Sequence, residues 1–160
     1  MEDTAVVLRG YRAADLNALF ELDQVCFGAE FRFSLRAMRQ FLELSGAIVV
    51  VAEVAARPGA IAGFSILHLE GTGEEVWGYV VTLDVAEEWR RQRLAGQLMR
   101  EAERQAKAAG AVGVGLHVWI ENSAAVRFYE RTGYERGELV TGFYGGLGMD
   151  AWVFRKLFLG

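Results

Sequence analysis

The stretch Val80–Ala109 (VVTLDV, then AEEWRRQR, then LAGQLMREAERQAKAA) is the part of the sequence that best predicts the fold. Its first six residues are mostly β-branched or apolar, which favours a buried strand. Its last part places Leu94, Leu98 and Ala102 at four-residue steps among good helix formers, which predicts an amphipathic helix. The stretch therefore predicts a strand, a short basic loop and a long helix.

The junction before this helix is unusually basic, because Arg90, Arg91 and Arg93 crowd the first turn. The helix dipole disfavours cations at this end by roughly 0.3–1 kcal/mol each, although Glu87 and Glu88 soften the effect from the preceding turn. Free backbone N–H groups ringed by guanidinium groups suit a phosphate. We therefore interpret the junction as an anion site; a solvated basic turn is the alternative.

The composition predicts one folded domain over residues 1–160, with 52% hydrophobic and 24% charged residues. The net charge of −4 makes the arginine cluster a local feature and argues against a nucleic-acid partner. Single Cys26 excludes an intramolecular disulfide and fits the cytoplasm. No basic signal-peptide start and no membrane-spanning apolar run are present, and two histidines with one cysteine show no metal-ligand spacing.

Periodicity and turn residues divide the rest of the chain into short elements. The predicted strands are Ala5–Arg9, Ala47–Val54, Ile61–Glu70, Gly113–Val118, Tyr134–Thr141 and Ala151–Leu157, and the predicted further helices are Ala13–Val25, Leu35–Leu44 and Ser123–Arg131. Short turns, including Gly71–Glu75, join the three middle strands into an antiparallel meander, whereas the helical crossover after Val85 predicts one parallel pair. The fold class is a mixed, mostly antiparallel α/β sheet with helices on both faces.

Two motifs give this chain a resemblance to the GNAT superfamily of N-acetyltransferases over nearly its whole length. The family's Arg/Gln-x-x-Gly-x-Gly/Ala signature opens a helix after a strand, and the run Arg90-Arg91-Gln92-Arg93-Leu94-Ala95 matches it at its first and last positions. Arg93 replaces the usual glycine, which lets a backbone approach a phosphate closely. The departure implies either an added phosphate contact from Arg93 or weaker binding.

The second motif is Asn-x-x-Ala-x-x-x-Tyr followed by a Gly-aromatic pair, matched by Asn122, Ala125, Tyr129 and Gly133-Tyr134. Within the superfamily the chain most resembles the branch that acetylates protein N-termini, including the ribosomal-protein alanine acetyltransferases. The support is the YERTGY stretch with Tyr144 and Asp150-Ala151 near the end.

The resemblance implies that acetyl-CoA lies where two parallel strands splay apart. The backbone of one strand would hold the pantetheine and the thioester carbonyl, while the helix start would hold the pyrophosphate. The implied coenzyme-binding residues are Leu83, Asp84, Val85, Arg90, Arg91, Gln92, Arg93, Leu94, Ala95, Gly96, Asn122, Ala125 and Phe128. Asn122 could equally serve as the N-cap of the following helix, and the strand side chains are expected to be core.

The resemblance assigns Tyr129 as the general acid, with a core tyrosine as the alternative. His117 lies where the N-terminal acetyltransferase branch carries a glutamate base, and an imidazole near its reference pKa of about 6.5 can accept a proton. A hydrogen-bonded structural histidine is the alternative. His68, Glu70, Asp150 or water alone are the rival bases.

Two segments are expected to shape the acceptor site, although their sequences do not indicate which acceptor binds: Gly28–Phe33 and the glycine-rich loop Gly142–Asp150. Phe27, Phe31 and Phe33 are interpreted as a lid packed on the core, and Tyr144 as a substrate contact. Trp152 is either buried or part of a homodimer contact.

The predicted function is therefore an acetyl-CoA-dependent N-acetyltransferase that acts on a primary amine in a ternary complex. The predicted partners are acetyl-CoA and an amine acceptor, with no metal. The main alternative is a non-catalytic acyl-CoA-binding module, suggested by Arg93 and the unsettled base. A nucleotide-phosphate binder of another α/β type is disfavoured, since neither G-x-G-x-x-G nor G-x-x-x-x-G-K-[ST] follows a strand.

Overall fold

A computed structural model of the protein describes residues 5–71, 75–145 and 148–159. Its strands are β1 (Val6–Arg9), β2 (Ala47–Val54), β3 (Ile61–Glu70), β4 (Val76–Val85), β5 (Ala111–Trp119), β6 (Glu135–Val140) and β7 (Ala151–Leu157). Its α-helices are α1 (Leu16–Cys26), α2 (Leu35–Glu43), α3 (Leu94–Ala108) and α4 (Ser123–Arg131), with 3-10 turns at Ala13–Asp15 and Glu87–Trp89. The predicted order of elements is confirmed.

Most predicted element boundaries agree with the structure within two residues, and the starts of two elements differ by more. The helix predicted from Ala13 starts as a 3-10 turn, because the Asp15 carboxylate accepts from the Arg12 backbone and from the Arg9 guanidinium. β4 begins at Val76 rather than Val80. Of the predicted turn Gly71–Glu75, residues 72–74 lie outside the described residues.

The strands form a single sheet in the order β1-β2-β3-β4-β5-β7-β6. Only β4 and β5 pair in parallel among the described strands, so the predicted meander and crossover are confirmed. Their pairing runs from Val76 opposite Ala111 to Tyr79 opposite Gly115 and then stops. Because both strands continue beyond these residues, their carboxyl ends separate and leave a gap in the sheet.

A β-bulge next to this gap changes which way β4 side chains face. Ile66 pairs with Thr82 but Leu67 pairs with Val80, so Val81 is the extra residue. Since side chains alternate along a strand, an inserted residue reverses the alternation beyond it. Val80 therefore packs in the core beside α3, whereas Asp84 faces α1.

The sheet has a hydrophobic core on each face, which confirms helices on both sides. On one face α3 packs Leu98, Ala102 and Ala106 against the strands. On the other face α1 and α2 contribute Leu19 and Met38 to a second cluster, together with Leu42, Val49, Val51, Phe64 and Ile66.

Two helices begin at a side-chain N-cap, and one of these is the cap predicted at Asn122. The Ser34 hydroxyl accepts from the Ala37 backbone N–H at 3.1 Å, and the Asn122 side-chain oxygen accepts from the Ala125 N–H at 3.1 Å. Each satisfies a first-turn N–H that the helix itself leaves without an acceptor. No helix in the described part of the chain has both the length and the apolar character to span a bilayer.

Candidate active site

A cleft of about 1250 Å³ opens where β4 and β5 separate. Its floor is formed by the diverging ends of these strands, and its sides by the start of α3, by α4 and by the segments around residues 26–33 and 143–144. The cleft collects most residues that the two sequence motifs predict. Those lining it are Leu83, Val85, Arg90, Arg91, Arg93, Leu94, Ala95, Gly96, Asn122, Ala125, Phe128, Tyr129 and His117.

Two predicted coenzyme residues do not place their side chains in the cleft. The Asp84 carboxyl turns into the protein interior below the bulge and is 1% exposed. The Gln92 side chain instead lines a shallower groove beside β1, and its amide donates to the Glu88 carbonyl at 2.9 Å. Neither placement bears on a role for their backbone groups.

The start of α3 has strained backbone at the position where the family signature has glycine. Arg93 is the N-cap and has φ +64°, and Arg91 has φ +65°. A left-handed conformation costs an L-residue roughly 1–2 kcal/mol, which glycine avoids. The backbone therefore keeps the turn that the signature glycine normally permits, and the N–H groups of the first helical turn have no acceptor within the helix.

Six guanidinium groups line the cleft without a carboxylate partner among the described residues: Arg32, Arg90, Arg91, Arg93, Arg100 and Arg131. The Arg100 side chain folds back toward the helix start, so that its Nη1 lies 3.2 Å from where a Cβ on Gly96 would be. Two separate helices, α3 and α4, thus bring guanidinium groups to the cleft into which the start of α3 opens. This arrangement favours the anion site over the solvated turn.

Arg90 differs from the other arginines because it is bound to the protein. Its Nε donates to the Val85 carbonyl at 3.1 Å, and its Nη2 lies 3.6 Å from the Cys26 sulfur. The side chain therefore ties the loop before α3 to the end of β4 and to α1. Burial chiefly raises the pKa of the Cys26 thiol, so this half-buried thiol stays protonated at neutral pH.

Tyr129 is buried, with 7% of its surface exposed, and lines the cleft. Its ring lies 5.0 Å from that of Phe128 and 5.4 Å from that of Tyr134, both edge to face. Burial raises the pKa of its phenol. The phenol is thus both a core residue and a protonated donor at the cleft, so the two interpretations are compatible.

His117 forms a hydrogen-bonded pair with a residue that the sequence did not single out. Its Nδ1 lies 2.8 Å from the Tyr79 hydroxyl, and its ring stacks on Phe143 at 3.9 Å and 9°. Burial chiefly lowers the pKa of the His117 imidazole and raises the pKa of Tyr79 to about 12. When Nδ1 donates to the phenol oxygen, Nε2 keeps its lone pair and can accept a proton.

The parallel register is the signal that could have identified Tyr79. Tyr79 lies opposite Gly115, and His117 lies two residues further along the same face of β5. The rival bases have other partners or places: His68 Nε2 is hydrogen-bonded to the Phe41 carbonyl at 3.0 Å, and the Asp150 carboxylate accepts from the Gly142 N–H at 2.7 Å. His68 and Glu70 nevertheless line the cleft.

Four aromatic rings form what we call the aromatic wall: Phe31, Trp119, Phe143 and Tyr144. Phe31 lies 5.2 Å from Trp119 and 4.8 Å from Tyr144, and Phe143 lies 4.9 Å from Tyr144. The prediction of a lid packed on the core is therefore wrong for Phe31, which contacts the wall at the cleft instead. It is confirmed for Phe33, which packs on Phe41 in the second core cluster.

Trp152 and the glycine-rich loop lie at the edge of this region. Trp152 is half-buried, and the Arg136 guanidinium lies 5.0 Å from the centre of its ring. Residues 146–147 of the predicted Gly142–Asp150 loop lie outside the described residues. Over the described ranges, no group of three or more histidine, cysteine, aspartate or glutamate residues is placed to hold a metal ion.

Comparison with known proteins identifies the family. The sequence profile of the Acetyltransferase (GNAT) family matches residues 16–134, so the chain belongs to this family. It is 37% identical over 95 residues to the N-terminal acetyltransferase B complex catalytic subunit NAA20 of Arabidopsis thaliana, a match that covers 58% of this chain and 55% of that protein. The chain thus spans about half the length of this relative.

Solved structures show the same fold at low sequence identity. Arabidopsis thaliana NAA60 in complex with acetyl-CoA superposes with a TM-score of 0.87 at 22% identity, covering 98% of this chain and 100% of that one. The ribosomal-protein alanine N-acetyltransferase of Escherichia coli superposes with a TM-score of 0.79 at 18% identity, covering 97% and 96%. The predicted fold class and the resemblance to the superfamily are both confirmed.

Proposed function

We propose that the protein is an acetyl-CoA-dependent N-acetyltransferase that acylates a primary amine, with a peptide N-terminus as the acceptor. The observation that carries the proposal is the gap between β4 and β5, which joins a positively charged helix start to the neutral His117–Tyr79 pair within one cleft. N-terminal acetylation by the relative NAA20 supports the choice of acceptor.

The donor half of the cleft suits a thioester that carries phosphates. Its anionic end would lie on the free N–H groups at the start of α3, with Arg91, Arg93, Arg100 and Arg131 as counter-charges. Beyond Tyr79 none of the described strands pairs with the β5-facing edge of β4, so its backbone N–H and C=O groups are available to an amide-containing arm.

The chemistry needs one base and one acid. The amine nitrogen attacks the thioester carbonyl, and its proton passes to Nε2 of His117 directly or through a water. The tetrahedral oxyanion is stabilised by backbone N–H groups of β4. As the C–S bond breaks, the Tyr129 hydroxyl donates to the leaving sulfur. Tyr79 orients the imidazole through Nδ1 and is a positioning residue.

The aromatic wall would receive the first side chain of the acceptor. Phe31 and Tyr144 come from segments outside the helices and strands, and Trp119 comes from the end of β5. Aromatic rings in contact favour an apolar group between or against them. The lowered pKa of His117 keeps its imidazole neutral at neutral pH, as a base requires.

The test is Tyr129→Phe, which removes the hydroxyl and keeps the ring. We expect kcat with acetyl-CoA and a peptide panel to fall roughly 100-fold, the lower end of acid–base effects, with unchanged coenzyme affinity by calorimetry. Tyr134→Phe is the matched control, because its hydroxyl donates to Glu103; it should lower stability and leave kcat near wild type. Unchanged turnover in Tyr129→Phe would remove the acid role.

The alternative of a non-catalytic acyl-CoA-binding module has its own outcome. It requires tight acetyl-CoA binding without coenzyme release for any peptide or small amine. A wild-type protein that behaves in this way would overturn the proposed enzyme activity.

A further inference from the structure

Two carboxyl groups meet between α1 and β4, just below the cleft. Asp23 is 0% exposed and Asp84 is 1% exposed, and the two carboxyl groups interact directly. One oxygen of each has a protein donor: Asp84 Oδ1 accepts from the Thr82 hydroxyl at 2.5 Å, and Asp23 Oδ2 accepts from the Phe33 N–H at 3.0 Å. The other two oxygens, Asp23 Oδ1 and Asp84 Oδ2, are buried without a hydrogen-bond partner among the described residues, so a proton between them would satisfy both.

A hydrogen bond between two carboxyl groups requires a proton on one of them, because an ionised carboxylate can only accept hydrogen bonds. Ionising both groups in a buried site would also place two like charges in contact without water. Burial, followed by the charge of Asp23 and the bond to it, raises the pKa of Asp84 well above its usual range. The proton therefore belongs to Asp84.

The groups that face Asp84 come from three parts of the chain. Cys26 and Asp23 face it from α1, Arg90 from the loop before α3, and Tyr129 from α4. The Arg90 guanidinium favours the charged form of Asp84, but its effect is smaller than those of burial and Asp23. Ionised Asp84 would also raise the pKa of Tyr129, so a neutral Asp84 keeps a negative charge away from the proposed acid.

We propose that Asp23 and Asp84 share one proton and act together as positioning residues, which hold the acceptor side of the cleft on the donor strand. Asp84 sits on β4 between Leu83 and Val85, the residues proposed to hold the thioester. Asp23 binds the Phe33 N–H, and the neighbouring Gln24 amide donates to the Phe33 carbonyl at 2.8 Å.

The consequence is that a single proton links the two halves of the active site. Without it, the carboxylates repel each other, and α1 with the segment that carries Phe31 loses this attachment to β4. The effect on catalysis rests on the proposed function, whereas the shared proton does not.

The first experiment detects the proton directly in the wild-type protein. Infrared spectra of protein labelled with ¹³C-aspartate should show the C=O band of a protonated carboxylic acid at neutral pH. The band should disappear in Asp84→Asn and persist in Asp15→Asn. Asp15 is the matched control, because it is also buried but its pKa is lowered by Arg9. No protonated-acid band in the wild type would overturn the proposal.

The second experiment measures stability against pH. A carboxyl whose pKa is raised in the folded state makes folding weaker as pH increases from its unfolded pKa near 4 toward its folded pKa, by up to about tenfold in the folded-to-unfolded ratio per pH unit. In Asp84→Asn a fixed N–H replaces the proton, so the variant should lose this slope. Parallel wild-type and Asp84→Asn curves would contradict a shared proton. If Asp84→Asn does not fold, Asp23→Asn replaces it: its slope should be smaller than that of the wild type but still present, because burial continues to raise the pKa of Asp84, and an unchanged slope would contradict the proposal.

The third experiment separates positioning from general destabilisation. Asp23→Ala should raise KM for the peptide several-fold while KM for acetyl-CoA stays near wild type, and Asp23→Asn should restore the peptide KM because its amide can accept from Phe33 and donate to Asp84. Equal changes in both KM values would contradict the positioning role. If the wild type shows no turnover, the proposed function fails, and the infrared and stability results still decide on the shared proton.

Discussion

The donor and acceptor halves of the cleft are built in different ways. The donor half lies on regular structure, the ends of β4 and β5 and the first turns of α3 and α4. The acceptor half depends on rings such as Phe31 and Tyr144, which lie outside helices and strands and are held mainly by contacts with one another. The comparison teaches that the site for an invariant co-substrate can be built from regular secondary structure, whereas loops form the site for a variable acceptor.

The largest effect is expected where the two halves meet, at His117. Replacing it with asparagine should lower kcat/KM roughly 100- to 10,000-fold, because the amine loses its base. In the wild type, activity should rise with pH as the imidazole becomes neutral, and the lowered pKa places this limb below the ordinary 6.5. Rates for both proteins from pH 5 to 9 provide the test.

His68→Gln is the matched control for this prediction, since His68 also lines the cleft but is hydrogen-bonded to the Phe41 carbonyl. It should leave the pH limb in place. A limb that vanishes in His68→Gln and survives in His117→Asn would assign the base to His68.

A smaller effect, confined to the donor half, is expected for Arg100→Gln. Losing a charge-assisted contact of about 1.5 kcal/mol should weaken acetyl-CoA binding roughly tenfold, with the peptide KM unchanged. Arg104→Gln on the same helix is the control, because Arg104 is paired with Glu101 at 2.6 Å. Calorimetric titration with acetyl-CoA measures both, and equal affinities in the two variants would contradict the assignment.

A substitution in the acceptor half should change the peptide KM and leave the coenzyme KM unchanged. Phe31→Ala removes the ring that contacts Trp119 and Tyr144, so the acceptor loses one aromatic contact of about 0.5–1.5 kcal/mol and the peptide KM should rise roughly 2- to 12-fold. The coenzyme KM from the same steady-state data serves as the internal control. A change in the coenzyme KM alone would mean that Phe31 belongs to the donor half.

The smallest effect concerns the strained turn before α3. Arg93→Gly removes the cost of holding an L-residue in a left-handed conformation, but it also raises the conformational entropy of the unfolded chain. The free energy of unfolding should therefore increase by about 0.5–1 kcal/mol. Gln92→Gly lies outside the left-handed positions and should be destabilising. Thermal unfolding measures both. A less stable Arg93→Gly would show that the Arg93 side chain contributes more to folding than its backbone conformation costs.

The strand, the basic loop and the capped helix beside the cleft were predictable because their signals are local. The β-branched run before Val85, the arginines before Leu94 and the cap at Asn122 each depend on neighbours in the chain. The partner of His117 was missed because it depends on register: Tyr79 meets His117 only once β4 and β5 pair. The bulge at Val81 likewise turns Asp84 toward Asp23, and regular alternation along the strand does not predict this.

Amide chemical shifts during a coenzyme A titration test the central claim most directly. With ¹⁵N-labelled protein, we expect the amides of Leu83, Val85 and Leu94 to Gly96 to shift together and saturate at one site, while those of β1 and β2 stay in place. Saturable binding that leaves these amides unmoved would contradict a coenzyme seated between the diverging strands on the first turn of α3.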